Sequence, residues 1–136
     1  MHLRTRVALL LGKAAGATAR ALDAGGGSSL PGRIARAVSP AFVPEMTSSL
    51  PLGCALVTGT NGKTTTSALL ASGLDRAGML PVHNRTGANL MTGIASALIR
   101  ESDFRGEMAA RIGLFEVDEA TLPAAIDETS PRLVLV

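Results

Sequence analysis

Val57-Thr58-Gly59-Thr60-Asn61-Gly62-Lys63-Thr64-Thr65-Thr66 is the stretch whose reading decides the fold. It follows a short apolar run, Ala55-Leu56-Val57, and precedes apolar residues at helical spacing from Ala68 to Leu74. The order is strand, glycine loop, helix. Glycines let the backbone turn tightly and aim several N–H groups at one anion. The following helix adds the partial positive charge of its N-terminus. Lys63 can reach terminal phosphate oxygens, and the Thr64 hydroxyl suits Mg²⁺. The spacing therefore predicts a phosphate cradle from Gly59, Thr60, Asn61, Gly62, Lys63, Thr64 and Thr65, with a nucleotide's phosphates and Mg²⁺ as ligands. The generic pattern asks for a glycine where Val57 stands, but Gly59-x-x-Gly62-Lys63-Thr64 is intact. The competing reading is a tight turn followed by a surface lysine.

Downstream, strands and helices alternate. The pattern predicts a strand at 54–58, a helix at 63–77 ended by Gly78, and a short strand at 80–83. A polar loop at 84–89 leads to a helix at 90–101. After a polar connection, a strand at 111–115 ends at Glu116. A helix at 119–129 follows, with Asp118 as its cap and Pro123 leaving its start open, and then a strand at 132–136. Alternation of this kind implies an α/β fold, a P-loop-type three-layer αβα domain with a mainly parallel sheet. Ligands of such sheets bind at the carboxyl ends of the strands. Glu116 then arrives at the same edge as Lys63, and a hard cation between phosphates needs an anionic oxygen besides a hydroxyl. Thr64 and Glu116 are the expected metal ligands, and Lys63 and Glu116 the expected catalytic pair. Asp118 and Glu119 are nearby alternatives, read first as helix-capping residues. Asn84, Thr86 and Asn89 border the site and either bind substrate or order their loop.

Upstream, residues 1–50 read as a helical arm and a Gly/Pro-rich linker, and 51–136 as the nucleotide-binding domain. Leu3, Val7, Leu10, Leu11, Ala14, Ala17, Ala21 and Leu22 recur at three- and four-residue steps. Lys13 interrupts the apolar run too early for a secretory signal. The amphipathic helix either packs on the domain, the commoner outcome, or lies on a membrane face. Gly25 to Ser29 is a flexible linker or turn. A short helix is expected at 33–38, stopped by Pro40, and an irregular connection between Pro44 and Pro51.

The chain has 136 residues, enough for one modest domain. Residues 1–40 carry +5 and the remainder −3, an asymmetry that suits an anionic partner or simply a solvated helix face. Aromatic residues are only 2% of the chain, which argues against stacking on single-stranded nucleic acid. A single cysteine, Cys54, excludes an internal disulfide and fits a reducing, cytoplasmic setting. No apolar run approaches membrane-spanning length.

Thr58-Gly59-Thr60-Asn61-Gly62-Lys63-Thr64-Thr65-Thr66 resembles the ATP loop of the Mur ligase superfamily, whose motif starts at this first glycine. Glu116-Val117-Asp118-Glu119-Ala120 is similar to that family's metal-binding strand end. Gly26-Gly27-Ser28-Ser29-Leu30-Pro31-Gly32-Arg33-Ile34-Ala35 and His83-Asn84-Arg85-Thr86-Gly87-Ala88-Asn89-Leu90 narrow the resemblance to the MurT family. These are ligase-like subunits of lipid II isoglutaminyl synthase. The resemblance implies an incomplete Mur ligase central domain and about the first third of such a protein. Zinc would belong to a four-cysteine ribbon further downstream, and the fragment alone would be inactive. It also implies amidation of the D-glutamate α-carboxyl of lipid II through an acyl phosphate. Ammonia would come from a GatD-like glutamine amidotransferase, at the inner face of the cytoplasmic membrane. The alternatives are a related ligase adding an amino acid, a non-catalytic nucleotide-binding module, or an inert remnant.

Overall fold

The computed structural model describes residues 1–21, 29–84 and 90–136. Three helices come first: α1 (Leu3–Ala21), α2 (Leu30–Val38) and α3 (Phe42–Ser48). The alternating part then runs β1 (Cys54–Val57), α4 (Lys63–Arg76), β2 (Pro81–His83), α5 (Met91–Glu101), β3 (Ile112–Glu116), α6 (Leu122–Thr129) and β4 (Leu133–Leu135). The four strands form one sheet in the order β2-β3-β1-β4, and every pairing is parallel. The fold is α/β, as the alternation predicts.

Right-handed crossovers decide which face each helix covers. The chain moves across the sheet one way from β1 to β2 and the other way from β2 to β3 and from β3 to β4. Helix α4 therefore lies on one face, and α5 and α6 on the other. The packing agrees: Leu70, Ala71 and Leu74 of α4 meet Ala55, Val57, Leu114 and Leu135. Ile94 and Leu98 of α5 and Ala125 of α6 share the larger core with Leu56 and Phe115. That core also takes Leu9, Ala35, Phe42 and Met46 from the first three helices. Each large aliphatic or aromatic side chain buried there contributes about 1.5–3 kcal/mol. Among the described helices α4 alone covers the second face, and of its residues only Ser67 is buried.

Several boundaries differ from the sequence reading, each for a local reason. The segment from Pro44 to Pro51, expected to be irregular, begins inside α3. Pro44 occupies the first turn, where a missing N–H costs nothing, and Phe42, Val43 and Met46 turn inward. Helix α2 starts at Leu30, not Arg33, with Pro31 in its first turn. Helix α6 starts at Leu122, with Thr121 in the cap position and Pro123 just inside. Asp118 therefore lies ahead of the cap. Its carbonyl accepts the N–H groups of Thr121 and Leu122. Gly78 does end α4: it has φ 73°, Met79 N–H reaches Leu74 O, and Gly78 N–H reaches Asp75 O. The polar connection before β3 is a tight turn around the Asp103 carboxylate, which accepts the N–H groups of Arg105 and Glu107.

Helix α1 forms as expected but presents the opposite side to the core. The expected apolar stripe, Leu3, Val7, Leu10, Leu11, Ala14, Ala17 and Ala21, is exposed. Thr5, Ala8, Leu9, Gly12, Gly16 and Ala19 are buried instead. Leu22, the last residue of that stripe, and Gly25 to Ser28 of the linker lie outside the described residues.

Candidate nucleotide-phosphate site

Strand alternation places the acidic residue. In β3, Leu114 faces α4 and Phe115 faces the larger core, so Glu116 returns to the α4 side. In β1, Ala55 and Val57 face α4 as well, and Val57 is the parallel partner of Glu116. The loop after Val57 and the carboxylate of Glu116 therefore leave adjacent strands at the same edge of the sheet.

The loop has the backbone that the glycines allow. Gly59 has φ 132° and Gly62 φ 79°, values that side chains rarely tolerate. A Cβ on Gly62 would meet nothing within 4 Å, so conformation, not crowding, requires glycine there. Gly62 is also the N-cap of α4 and brings no side chain to cap the helix. The first bond of the helix runs from Thr66 N–H to Gly62 O. The N–H groups ahead of it have no acceptor within the helix, and Thr60, Asn61, Thr64 and Thr65 around them are exposed.

Three side chains gather on Glu116, which is only 5% exposed. Thr64 Oγ1 donates to Glu116 Oε1 at 2.9 Å, and Ser67 Oγ donates to Oε2 at 3.3 Å. Asn84 binds the peptide of the same residue. Its Nδ2 donates to Glu116 O at 2.7 Å, and its Oδ1 accepts Glu116 N–H at 2.8 Å. The amide thus continues the β2–β3 ladder one residue past His83, where the β2 backbone leaves the sheet. Asn84 is buried, and these bonds tie its side chain to the end of β3. Thr86 and Asn89, expected beside it, lie outside the described residues.

Lys63 folds back over its own loop. Its ammonium donates to Gly59 O at 2.6 Å and stands 3.7 Å from Asp118 Oδ1. The ion-pair partner of Lys63 among the described residues is thus Asp118, which the sequence had offered chiefly as a helix cap. Ser67 was also missed. It sits three residues after Thr64, so helical spacing alone places both hydroxyls on one face. Thr58 Oγ1 is buried at the start of the loop and has no hydrogen-bond partner among the described residues, which is the kind of orphan a ligand's oxygen resolves.

The donor set suits a hard cation. Thr64 and Glu116 offer a hydroxyl and a carboxylate oxygen already in contact, the chemistry Mg²⁺ prefers, with phosphate and water completing its shell. No group of three or more His, Cys, Asp or Glu able to hold a metal occurs among the described residues. His2 lies just ahead of α1, where its backbone N–H donates to Glu45, and the His83 carbonyl at the end of β2 accepts from Arg100.

No protein-family model matches the chain. Its sequence is 33% identical over 133 residues to the lipid II isoglutaminyl synthase (glutamine-hydrolyzing) subunit MurT of Staphylococcus aureus strain COL. The match takes in 98% of this chain and 29% of that protein. MurT of Staphylococcus aureus strain N315 gives the same values. MurT of Streptococcus pneumoniae is 32% identical over 136 residues, all of this chain and 29% of its own length. The likeness read from short motifs thus extends along essentially the whole chain. The chain spans about 29% of the length of the relatives it matches.

Proposed function

We propose that this chain is the nucleotide-binding part of a MurT-like ligase subunit, in which the loop from Gly59 to Thr65 holds the phosphates of ATP. The observation that carries the reading is the contact between Thr64 and Glu116 at the mouth of a glycine loop and a helix N-terminus. Sequence similarity to MurT subunits over the whole chain supports the family side of it.

In this reading the amides at the start of α4 and the Lys63 ammonium bind the polyphosphate. Lys63 exchanges the Gly59 carbonyl for phosphate oxygens. Thr64 and Glu116 would hold Mg²⁺, which would supply charge neutralisation to the phosphates. Ser67 and Asn84 fix the Glu116 carboxylate and backbone, so the anionic ligand is in place before nucleotide arrives. Phosphoryl transfer needs positioning and charge neutralisation more than covalent help from the protein. The acceptor is the α-carboxyl of D-glutamate in lipid II, which becomes an acyl phosphate. Ammonia released from glutamine by a GatD-like partner subunit displaces the phosphate to give the amide. Acceptor carboxyl, acyl phosphate and amidotransferase partner are what the resemblance to MurT implies; the relatives themselves are named as subunits of a glutamine-hydrolyzing lipid II isoglutaminyl synthase. The residues described here account for the nucleotide half alone.

The test is equilibrium binding of ATP to the purified protein with and without Mg²⁺. Binding should be Mg²⁺-dependent, and Lys63→Ala should weaken it at least tenfold, about 1.4 kcal/mol or more. Lack of ATP binding by the wild-type protein, or an unchanged affinity in the variant, would overturn the reading.

A further inference from the structure

Helix α1 carries its large apolar residues on the outside. At 100° per residue, the buried positions Thr5, Ala8, Gly12, Gly16 and Ala19 share one side, together with Leu9. Small residues there let α1 lie close against α2 and α5. A Cβ on Gly12 would come within 2.6 Å of Ile99 Cδ1, and one on Gly16 within 3.4 Å of Pro31 Cγ. The opposite side presents Leu3, which is 78% exposed, and Val7, Leu10 and Leu11, each between 43% and 48% exposed. Ala14 and Ala17 continue the stripe. A helix whose far side meets only water carries polar residues there. Phe104, 75% exposed, adds a ring beside the stripe, 5.4 Å from the Lys13 ammonium. Leu10 and Phe104 line the same groove of about 450 Å³ between α1 and α5.

Charge frames this apolar face. Arg6 and Arg20 lie exposed along one flank, with Lys13 between them donating to Ile99 O and Ser102 O; Arg4 on the other flank donates through Nε to Val38 O, and α1 contains no acidic residue. We infer that the outward face of α1 is a docking surface for an anionic lipid bilayer, on which the helix lies in the plane of the headgroups. The apolar stripe would enter the acyl boundary, and the exposed Arg6 and Arg20 would meet lipid phosphates. A second copy of the chain fits less well. Two such faces brought together would align like charges along both flanks, which costs association energy. No described helix is long and apolar enough to cross a membrane, so the contact is peripheral. The helix is already folded and fixed to α2 and α5, so docking does not bear the entropy of forming it. The inference rests on α1 alone and is independent of the nucleotide site.

The chain has no tryptophan or tyrosine, so a single introduced tryptophan reports without background. Leu10→Trp should show a blue-shifted, brighter emission when vesicles of phosphatidylglycerol and phosphatidylcholine are added. Leu69→Trp, at an exposed position on α4 across the sheet, should show none. Raising salt to about 1 M, where the screening length falls to about 3 Å, should weaken the vesicle affinity of Leu10→Trp at least tenfold. Adding Leu3→Glu and Leu11→Glu should abolish the shift while circular dichroism and ATP binding stay unchanged. The inference is overturned if Leu10→Trp does not shift, or shifts no more than Leu69→Trp. It is also overturned if binding to pure phosphatidylcholine is equal and insensitive to salt. A concentration-dependent dimer in sedimentation, lost on the glutamate substitutions and unaccompanied by vesicle binding, would assign the face to a second copy instead.

Discussion

Thr64 Oγ1 lies 2.9 Å from Glu116 Oε1, although 52 residues separate them. The contact joins the first turn of α4 to the last residue of β3. It exists because β1 and β3 are adjacent parallel strands with Val57 opposite Glu116. A hydroxyl and a carboxylate so placed are two oxygen donors of the kind a hard cation takes, which is why the proposed function assigns Mg²⁺ to them.

Glu116→Gln removes the charge and keeps the shape. The amide still hydrogen-bonds Thr64 or Ser67, so the fold should persist. The Mg²⁺ concentration that half-supports ATP binding should rise at least tenfold. A magnesium titration of nucleotide binding checks this, and a superimposable curve would remove Glu116 from the metal site.

Asn84→Ala strips both partners from the Glu116 peptide, leaving a buried N–H and a buried C=O unpaired. Each such loss costs about 1–3 kcal/mol, so unfolding free energy in urea should fall by about 2–4 kcal/mol. A smaller effect would mean that water replaces the amide. Asn84→Asp, which sets an oxygen against Glu116 O and buries a negative charge, should destabilise at least as much as Asn84→Ala.

Two glycine-to-alanine changes should have opposite signs. A Cβ on Gly32 of α2 would lie 1.9 Å from Thr92 O of α5, a backbone atom with no freedom to move aside. Gly32→Ala should destabilise by at least about 2 kcal/mol. Gly73 of α4 has nothing within 4 Å, and Gly73→Ala should stabilise by roughly 0.5–1 kcal/mol. Thermal melts of the two variants decide the point.

Burial in β1 raises the Cys54 thiol from its ordinary 9.0 to about 11, opposed weakly by the Gly113 N–H. At pH 8 the native protein should therefore react slowly with a disulfide reagent and rapidly once unfolded. The raised value also fixes a sign. The folded state keeps the proton longer, so this contribution to stability is complete below about pH 9 and declines as pH rises toward 11. Urea titrations at pH 8 and pH 10 should show the fall, and Cys54→Ala should flatten it.

The parts of the fold readable from the sequence are those fixed by local chemistry. The strand–glycine–helix order, the stop at Gly78 and the arrival of Glu116 beside the loop each follow from spacing or from a backbone that glycine alone tolerates. What escaped depends on partners distant in sequence. Nothing local tells Asn84 that it will pair with the Glu116 peptide, or Asp118 that it will face Lys63. Helix α3 escaped because Pro44 is harmless only in a first turn, and where that turn falls is set by the burial of Phe42 and Met46. The periodicity of α1 was legible, but its direction was not. Hydrophobic spacing finds a stripe, while close helix approach at Gly12 and Gly16 chose the other side.

The resting position of Lys63, on Gly59 O and near Asp118, makes anion capture a contest and not a simple filling of an empty seat. An incoming ligand must outbid a carbonyl and a carboxylate for the same ammonium. On the proposed function, a lone orthophosphate would offer little beyond what it displaces, whereas a linked row of phosphates would bring several oxygens to the same exchange. Discrimination by chain length would then act as a threshold set by the loop.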